Sequence, residues 1–466
     1  MTSAEETADV GLLSPVSAGT RVEAATGDAA YLQAMVDAEV ALLRARGLAA
    51  DGVDAGDLDV RALALKARAG GNPVIPLVEE LRVRLGPETH RGATSQDILD
   101  TATMLVARES VALIVEDLQR AAKALEGLAR EHRNTPMPAR TLTQHAVPTT
   151  FGLKAAGWRS LVLDARDRLQ RLAYPAQLGG AAGTLAALST LLHLPPTCGQ
   201  SFRRAERVGT ATTLTAESTP VTGSGAEPQF REGVGPGPQP AAGAPPTPYT
   251  PLTLVNAYAD NLNLTPPPLP WHTLRTPITD LATTLAFTTT ALGKLAADVL
   301  TLTRTEVAEL SEGEGGTSSA MPHKQNPVHA TLITSAARQA PHLAATLLTA
   351  LLAEDERPPG AWHAEWHPLR TLLRLTAGAA EHAAALTATL RVDPARMRAN
   401  LDLTGGLIIS ERLTATLGRA RTEELIAEST AKNIPLKDLI PDKTLTDPAQ
   451  YTGAAAELVD RALERQ

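Results

Sequence analysis

Apolar positions recur at three- and four-residue spacing through most of this chain and seldom alternate with polar ones. Residues 28 to 46 predict one helix, stopped by Gly47. Residues 97 to 132, beginning DILDTATMLVARES, predict a helix far longer than the globular average, with Pro136 and Pro138 beyond its end. Residues 278 to 310, 328 to 355 and 368 to 391 predict three more long helices. A 30-residue helix spans about 45 Å, which suits an extended bundle better than a compact α/β domain. Strand-like alternation is scarce, so the fold class expected is all-α.

One region breaks the pattern. From about Leu194 to Pro270 the chain is rich in Pro, Gly, Thr and Ser, with GVGPGPQPAAGAPPTPYTP near its middle. Such a composition buries too little apolar surface to order itself, and it predicts a mobile insertion at about 194 to 250. An ordinary linker accounts for it better than a polyproline segment held for a partner.

Composition adds exclusions. Only 3% of residues are aromatic, while Ala and Leu, strong helix formers, abound. A net charge of −8 argues against a nucleic-acid binder. No uninterrupted apolar run of about 20 residues predicts a membrane span. The N-terminal MTSAEETADVGLL is acidic where a secretory leader would be basic, so a cytoplasmic enzyme is expected. Cys198 is the only cysteine, which excludes an intrachain disulfide and a cysteine-based zinc site.

Three polar islands interrupt the helices. In HRGATSQD (His90 to Asp97), Thr94 and Ser95 stand where a helix N-cap belongs, and capping alone explains them. Hydroxyls and free N–H groups at a helix start also suit an anion. In RTLTQHAVPTT (Arg140 to Thr150), Thr143, Gln144 and His145 can orient a carboxylate and relay a proton, histidine being the side chain that titrates near neutrality. The third island, GGTSSAMPHKQNPV (residues 315 to 328), sets Ser318, Lys324 and Asn326 between glycines that free the backbone and prolines that fix the turns. A chance flexible loop explains the glycines but not this density of Ser, Lys and Asn. Ser318 can act as a base only with help from cations, amide donors and water exclusion.

Two other signals fail. HAEWH (His363 to His367) has its Glu one place away from the H-E-x-x-H metalloprotease pattern, so packing or capping is expected there and no metal. GVGPGP lacks the strand-to-helix context of a phosphate loop.

The islands, taken in order, resemble the active-site regions of the fumarase/aspartase superfamily. SSAMPHKQNP is similar to its signature loop, and HRGATSQDILDT and RTLTQHAVPTTFGLKAAGW to its two other regions. QLGGAAGTLAAL, LPWHTLR and AEDERPPGAWHAEWHPL are similar to its 3-carboxy-cis,cis-muconate cycloisomerase-like branch. That resemblance implies an almost all-α, three-domain chain: 1 to 96, a central long-helix domain 97 to 355 carrying the insertion, and 356 to 466. It further implies a homotetramer with a twenty-helix core and active sites shared among three subunits.

By the same resemblance Ser318 is the base, and Lys324 and Asn326 stabilise a carbanion drawn as an aci-carboxylate or aci-nitro species. His145, with His90, relays protons. His90, Thr94, Ser95, Thr143, Gln144, Ser319, Met321 and Arg275 surround a small di- or tricarboxylate. No cofactor and no metal are implied.

Two reactions stay open. One is β-elimination from a substituted succinate to fumarate, as in lyases of secondary metabolism, antibiotic assembly included, that expel nitrite from nitrosuccinate. The other is lactonisation of carboxymuconate in aromatic catabolism. Gln325, where the branch usually has a basic or small residue, and the insertion favour a repurposed copy and tilt the reading towards elimination. A non-catalytic relative is a third possibility, and the intact Ser318, Lys324 and Asn326 argue against it.

Overall fold

The computed structural model describes residues 10–193, 250–313, 316–317, 321 and 324–466. The expected insertion at about 194 to 250 lies almost wholly outside the described residues. So do Ser318 and Ser319.

The chain is mostly helical. α1 (Arg21–Ala25), α2 (Asp28–Ala45), α3 (Val60–Gly70) and α4 (Val74–Leu85) lead into the 37-residue α5 (Ser95–Glu131). A hairpin of β1 (Pro136–Thr141) and β2 (Gln144–Thr150) follows, then α6 (Phe151–Gln170), α7 (Ala186–His193), α8 (Pro251–Asn261) and α9 (Thr276–Leu302). Short strands β3 (Leu310–Ser311), β4 (Gly316–Thr317) and β5 (Gln325–Asn326) precede α10 (Val328–Thr349) and α11 (Ala361–Thr389). β6 (Arg391–Val392) and α12 (Pro394–Asp402) come next, and short C-terminal helices end with Ala455–Leu463.

The bundle is α5, α6, α9, α10 and α11, packed along their lengths. Alanines such as Ala107, Ala121, Ala296, Ala336 and Ala380 are buried at their contacts and let the helices lie close. α9 is long and apolar enough to cross a membrane, but it packs against α10, α11 and α6 and is a core helix here. α11 belongs to this bundle although it lies beyond the 355/356 boundary expected for the central domain. A separate apolar cluster of Leu401, Ile408, Ile409, Leu413, Leu425, Leu436 and Ile440 forms among the later helices.

Several expectations change in detail. The hairpin stands where proline breaks alone were expected. Pro138 faces Pro148 across it, where neither can donate a ladder hydrogen bond, and a bulge follows. α9 ends at Leu302 rather than 310, because β3 leaves the helix path to pair with β6. α8 is ordered despite its Pro- and Thr-rich surroundings. Thr250 caps it, and Leu254, Val255, Tyr258 and Ala259 are buried, with the helix packed on α2.

At the start of the bundle Arg275 sits between α5 and α11, about 1% exposed. Its guanidinium donates to both oxygens of Asp100 (2.6 and 3.0 Å), to both oxygens of Glu365 (2.9 and 2.5 Å) and to the Trp271 carbonyl (3.3 Å). Trp362 Nε1 donates to Asp100 as well. All five N–H groups of the arginine are thereby used. Arg275 was expected beside the substrate. The structure makes it a buried clamp instead, with no donor left for a carboxylate. Glu365 of HAEWH is one jaw of that clamp, and His363 packs against Trp362 and Trp366.

Arg275→Met is therefore expected to lower the unfolding free energy by about 3–5 kcal/mol, since it strands two buried carboxylates. Urea denaturation followed by circular dichroism measures this, and a change below about 1 kcal/mol would contradict the clamp.

Candidate active site

The first island is built around one buried anion. Thr94 is the N-cap of α5, and the Asp97 carboxylate accepts its backbone N–H at 2.9 Å in a capping box. Asp97 is fully buried and also accepts from the N–H groups of Gly179 and Gly180 (2.9 Å each), Gln177 Nε2 (3.3 Å) and His272 Nε2 (2.7 Å). The capping reading of Thr94 thus holds, and the same carboxylate draws QLGG and LPWH to the helix start. Gly179 has no room for a side chain: a Cβ would lie 2.7 Å from Pro270 and 2.8 Å from His272. Ser95 is the first residue of α5, half-buried beside Thr94.

His90 stands four residues ahead of Thr94 with a left-handed backbone, φ 66°. Its Nδ1 bonds Glu39 Oε1 at 2.6 Å. Glu39, on α2, was missed from sequence. The signal available was a carboxylate inside the apolar run AMVDAEVALL.

The second island is the tip and second strand of the hairpin. Its two-residue turn puts Leu142 (φ 49°) and Thr143 (φ 70°) in the left-handed region, where a type I′ turn prefers Asn-Gly. For a β-branched threonine that conformation is rare and strained. The turn thrusts Leu142 into solvent at 95% exposure and sets Thr143 and Gln144 side by side, with Gln144 Nε2 3.4 Å from Thr143 Oγ1. His145 pairs with Arg140 across the ladder. Partial burial, helped by the Arg140 charge, holds His145 below the ordinary histidine range, with Glu309 opposing. At neutral pH its ring is free to take a proton.

The third island is tied to the second. Arg140 makes a bidentate pair with the fully buried Glu309 (2.9 and 2.7 Å), and Asn400 Nδ2 donates to the same carboxylate at 2.8 Å. Three residues on, Glu312 accepts the N–H groups of His329 (3.1 Å) and Ala330 (2.9 Å) at the start of α10. β4 and β5 then close the neck of the loop, Gly316 facing Asn326. Lys324 is exposed, Asn326 half-buried and Met321 exposed. Ser318 and Ser319 lie outside the described residues.

One chain does not bring the first island to the other two. The first lies at the N-terminus of α5 and the hairpin follows its C-terminus, so 37 residues put them about 55 Å apart. The third island sits at the hairpin's end through Arg140 and Glu309. A cavity of about 340 Å³, lined by Tyr31, Met35, Leu63, Thr103 and Arg370 among others, includes no residue of any island. Among the described residues no cluster of three or more His, Cys, Asp or Glu is placed to hold a metal.

Comparison with known proteins adds the family. A sequence profile described as lyase matches residues 69–204 and 256–341. The chain is 48% identical to a nitrosuccinate lyase of Streptomyces davaonensis, across 98% of this chain and 94% of that protein. It is 37% identical to a 3-carboxy-cis,cis-muconate cycloisomerase of Bradyrhizobium diazoefficiens, across 97% of each. The crystal structure of the 3-carboxy-cis,cis-muconate lactonizing enzyme of Pseudomonas putida aligns with a TM-score of 0.79 at 31% identity, covering 97% of this chain and 98% of that one.

Two measurements check this geometry. Asp97→Asn replaces an all-acceptor group with one that turns an NH2 towards donors, and about 3 kcal/mol or more of stability should be lost. A smaller loss in urea denaturation would mean that Asp97 is not the organising anion.

Burial also lowers His382, which meets His329 through Nδ1 atoms 3.0 Å apart, below its ordinary 6.5. Between the folded and unfolded pKa the unfolded chain binds more protons, so stability falls as pH drops through that window. His382→Asn should flatten the fall in the urea midpoint as pH drops below the ordinary histidine pKa of about 6.5, and an unchanged slope would contradict the assignment.

Proposed function

The chain belongs to the lyase family, in the cycloisomerase-like branch of the fumarase/aspartase superfamily, and we propose that it is a β-elimination lyase converting nitrosuccinate to fumarate and nitrite. The observation that carries the substrate is the 48% identity, over nearly the whole length, to a protein of that activity. Lactonisation of carboxymuconate is the second reading. It is favoured by the solved lactonizing enzyme at TM-score 0.79, with lower identity throughout.

The chemistry asks for a base, a sink for negative charge and binders for two carboxylates. Ser318 takes the proton from the carbon next to a carboxylate. The electron pair left behind forms the double bond as the carbon–nitrogen bond breaks and nitrite departs. Lys324 and Asn326, at the closed neck of the loop, hold the charge that builds on the neighbouring carboxylate or nitro oxygens. His145 prepares Ser318 by accepting its hydrogen, a role that suits a ring kept neutral by burial and Arg140. Thr94, Ser95, Thr143 and Gln144 hold the carboxylates, with His90, Ser319 and Met321 beside them. Arg275, with its donors already engaged by Asp100, Glu365 and the Trp271 carbonyl, is not among them.

The site is completed by other copies of the chain. Support comes from the length of α5, which keeps the first island about 55 Å from the other two. Four copies of the five bundle helices give a twenty-helix core, and antiparallel neighbours carry a first island to each hairpin. The three-domain division of 1 to 96, 97 to 355 and 356 to 466 belongs to the same proposal.

Purified protein offered nitrosuccinate is expected to release fumarate and nitrite in equal amounts. Consumption of carboxymuconate alone, seen as lost diene absorbance, would refute the elimination. Ser318→Ala should cut turnover by about 10²-fold or more without changing the oligomer seen by light scattering. Retained turnover would remove Ser318 as the base.

A further inference from the structure

We infer that Glu39 positions His90, fixing which ring nitrogen the first island presents to the substrate; this rests on the lyase reading above. Glu39 lies on α2 among buried Val36, Ala38, Val40 and Leu42 and is itself 0% exposed. An apolar side chain would suit that face. The carboxylate meets His90 Nδ1 at 2.6 Å through Oε1, while Oε2 has no hydrogen-bond partner among the described residues. Asp97, by contrast, is ringed by donors on both oxygens. A buried anion with one partner is a poor stabiliser. What the single contact does supply is control of the histidine.

That control is specific. A carboxylate only accepts, so the shared proton sits on His90 Nδ1, and Nε2, on the far edge of the ring, keeps its lone pair. The His90 side chain is 16% exposed where Glu39 is closed off. The backbone holds the ring there from the left-handed region at φ 66°, a conformation unfavourable for a residue with a Cβ.

The other charges nearby are already matched. Glu88 on the same loop pairs with Arg46 at the end of α2 and with Arg91, and Asp97 on α5 is engaged by His272. From α8 the neutral Tyr258 faces this region, its phenol pushed up by burial. Among the described residues, Glu39 is the group that addresses the ring. With it in place the ring offers Nε2 as a proton acceptor in one fixed orientation, the form a proton relay needs.

The test is Glu39→Gln, which keeps size and an acceptor but removes the charge. For nitrite release from nitrosuccinate, kcat/KM should fall by roughly 10-fold to 10²-fold, as for other outer partners of functional histidines. The loss should fall on kcat with KM little changed, while the urea midpoint holds or rises. In a His90→Asn background the same substitution should add nothing, because the two residues act as a unit. Wild-type kcat/KM in Glu39→Gln, losses that add in the double variant, or a loss matched by a lower urea midpoint would overturn the inference. A wild-type enzyme inert towards nitrosuccinate would instead overturn the lyase reading, and the same cycle is then run on carboxymuconate with the same criteria.

Discussion

The Asp97 carboxylate is the contact on which the first island depends. It is an anion removed from water, and it persists because donors from three separate segments converge on it: Thr94 at the helix start, Gly179 and Gly180 in the following loop, and His272 beyond the insertion. Each donor would be costly to bury alone, and so would the carboxylate. Together they form a satisfied network, and the network fixes where α5 begins. One helical turn on, Asp100 joins the Arg275 and Glu365 clamp, so the same helix end is held by two charge clusters of different kinds. Both clusters spend their donors internally. They are the frame against which Thr94, Ser95 and His90 are presented.

The second constraint is length. A helix of 37 residues cannot bend its two ends together, and the packed faces of α6 and α11 keep it straight. The polar islands at its two ends are therefore held apart by long, alanine-rich helices. Small side chains at their contacts let such helices approach closely along most of their length. The opposite end is organised by another buried carboxylate, Glu309, which binds the hairpin through Arg140 and α12 through Asn400. Both ends of the bundle thus use an acidic residue, fully enclosed and fully paired, to hold a mobile-looking polar segment in register.

Much of this was legible beforehand, and the reasons differ by element. Long helices announce themselves by periodicity, and Thr94 with Asp97 by capping chemistry, because both are local. The hairpin was not legible: its strands contain three prolines, and its turn uses Leu142 and Thr143 where Asn and Gly would have signalled it. α8 was hidden by the Pro- and Thr-rich stretch around it, and its order comes from packing on α2. Arg275 read as a substrate ligand because a lone arginine in a motif carries no mark of its partners. Those partners are 175 and 90 residues away in sequence.

By itself, then, the order of residues settled the helical class, the three polar islands and the family resemblance they carry, since each rests on spacing within a few turns of chain. Tertiary structure alone decided which charges are spent and which remain available. Glu39 and Arg275 show why: a buried ion is defined by what surrounds it, and those surroundings are assembled from segments that never meet until the chain folds.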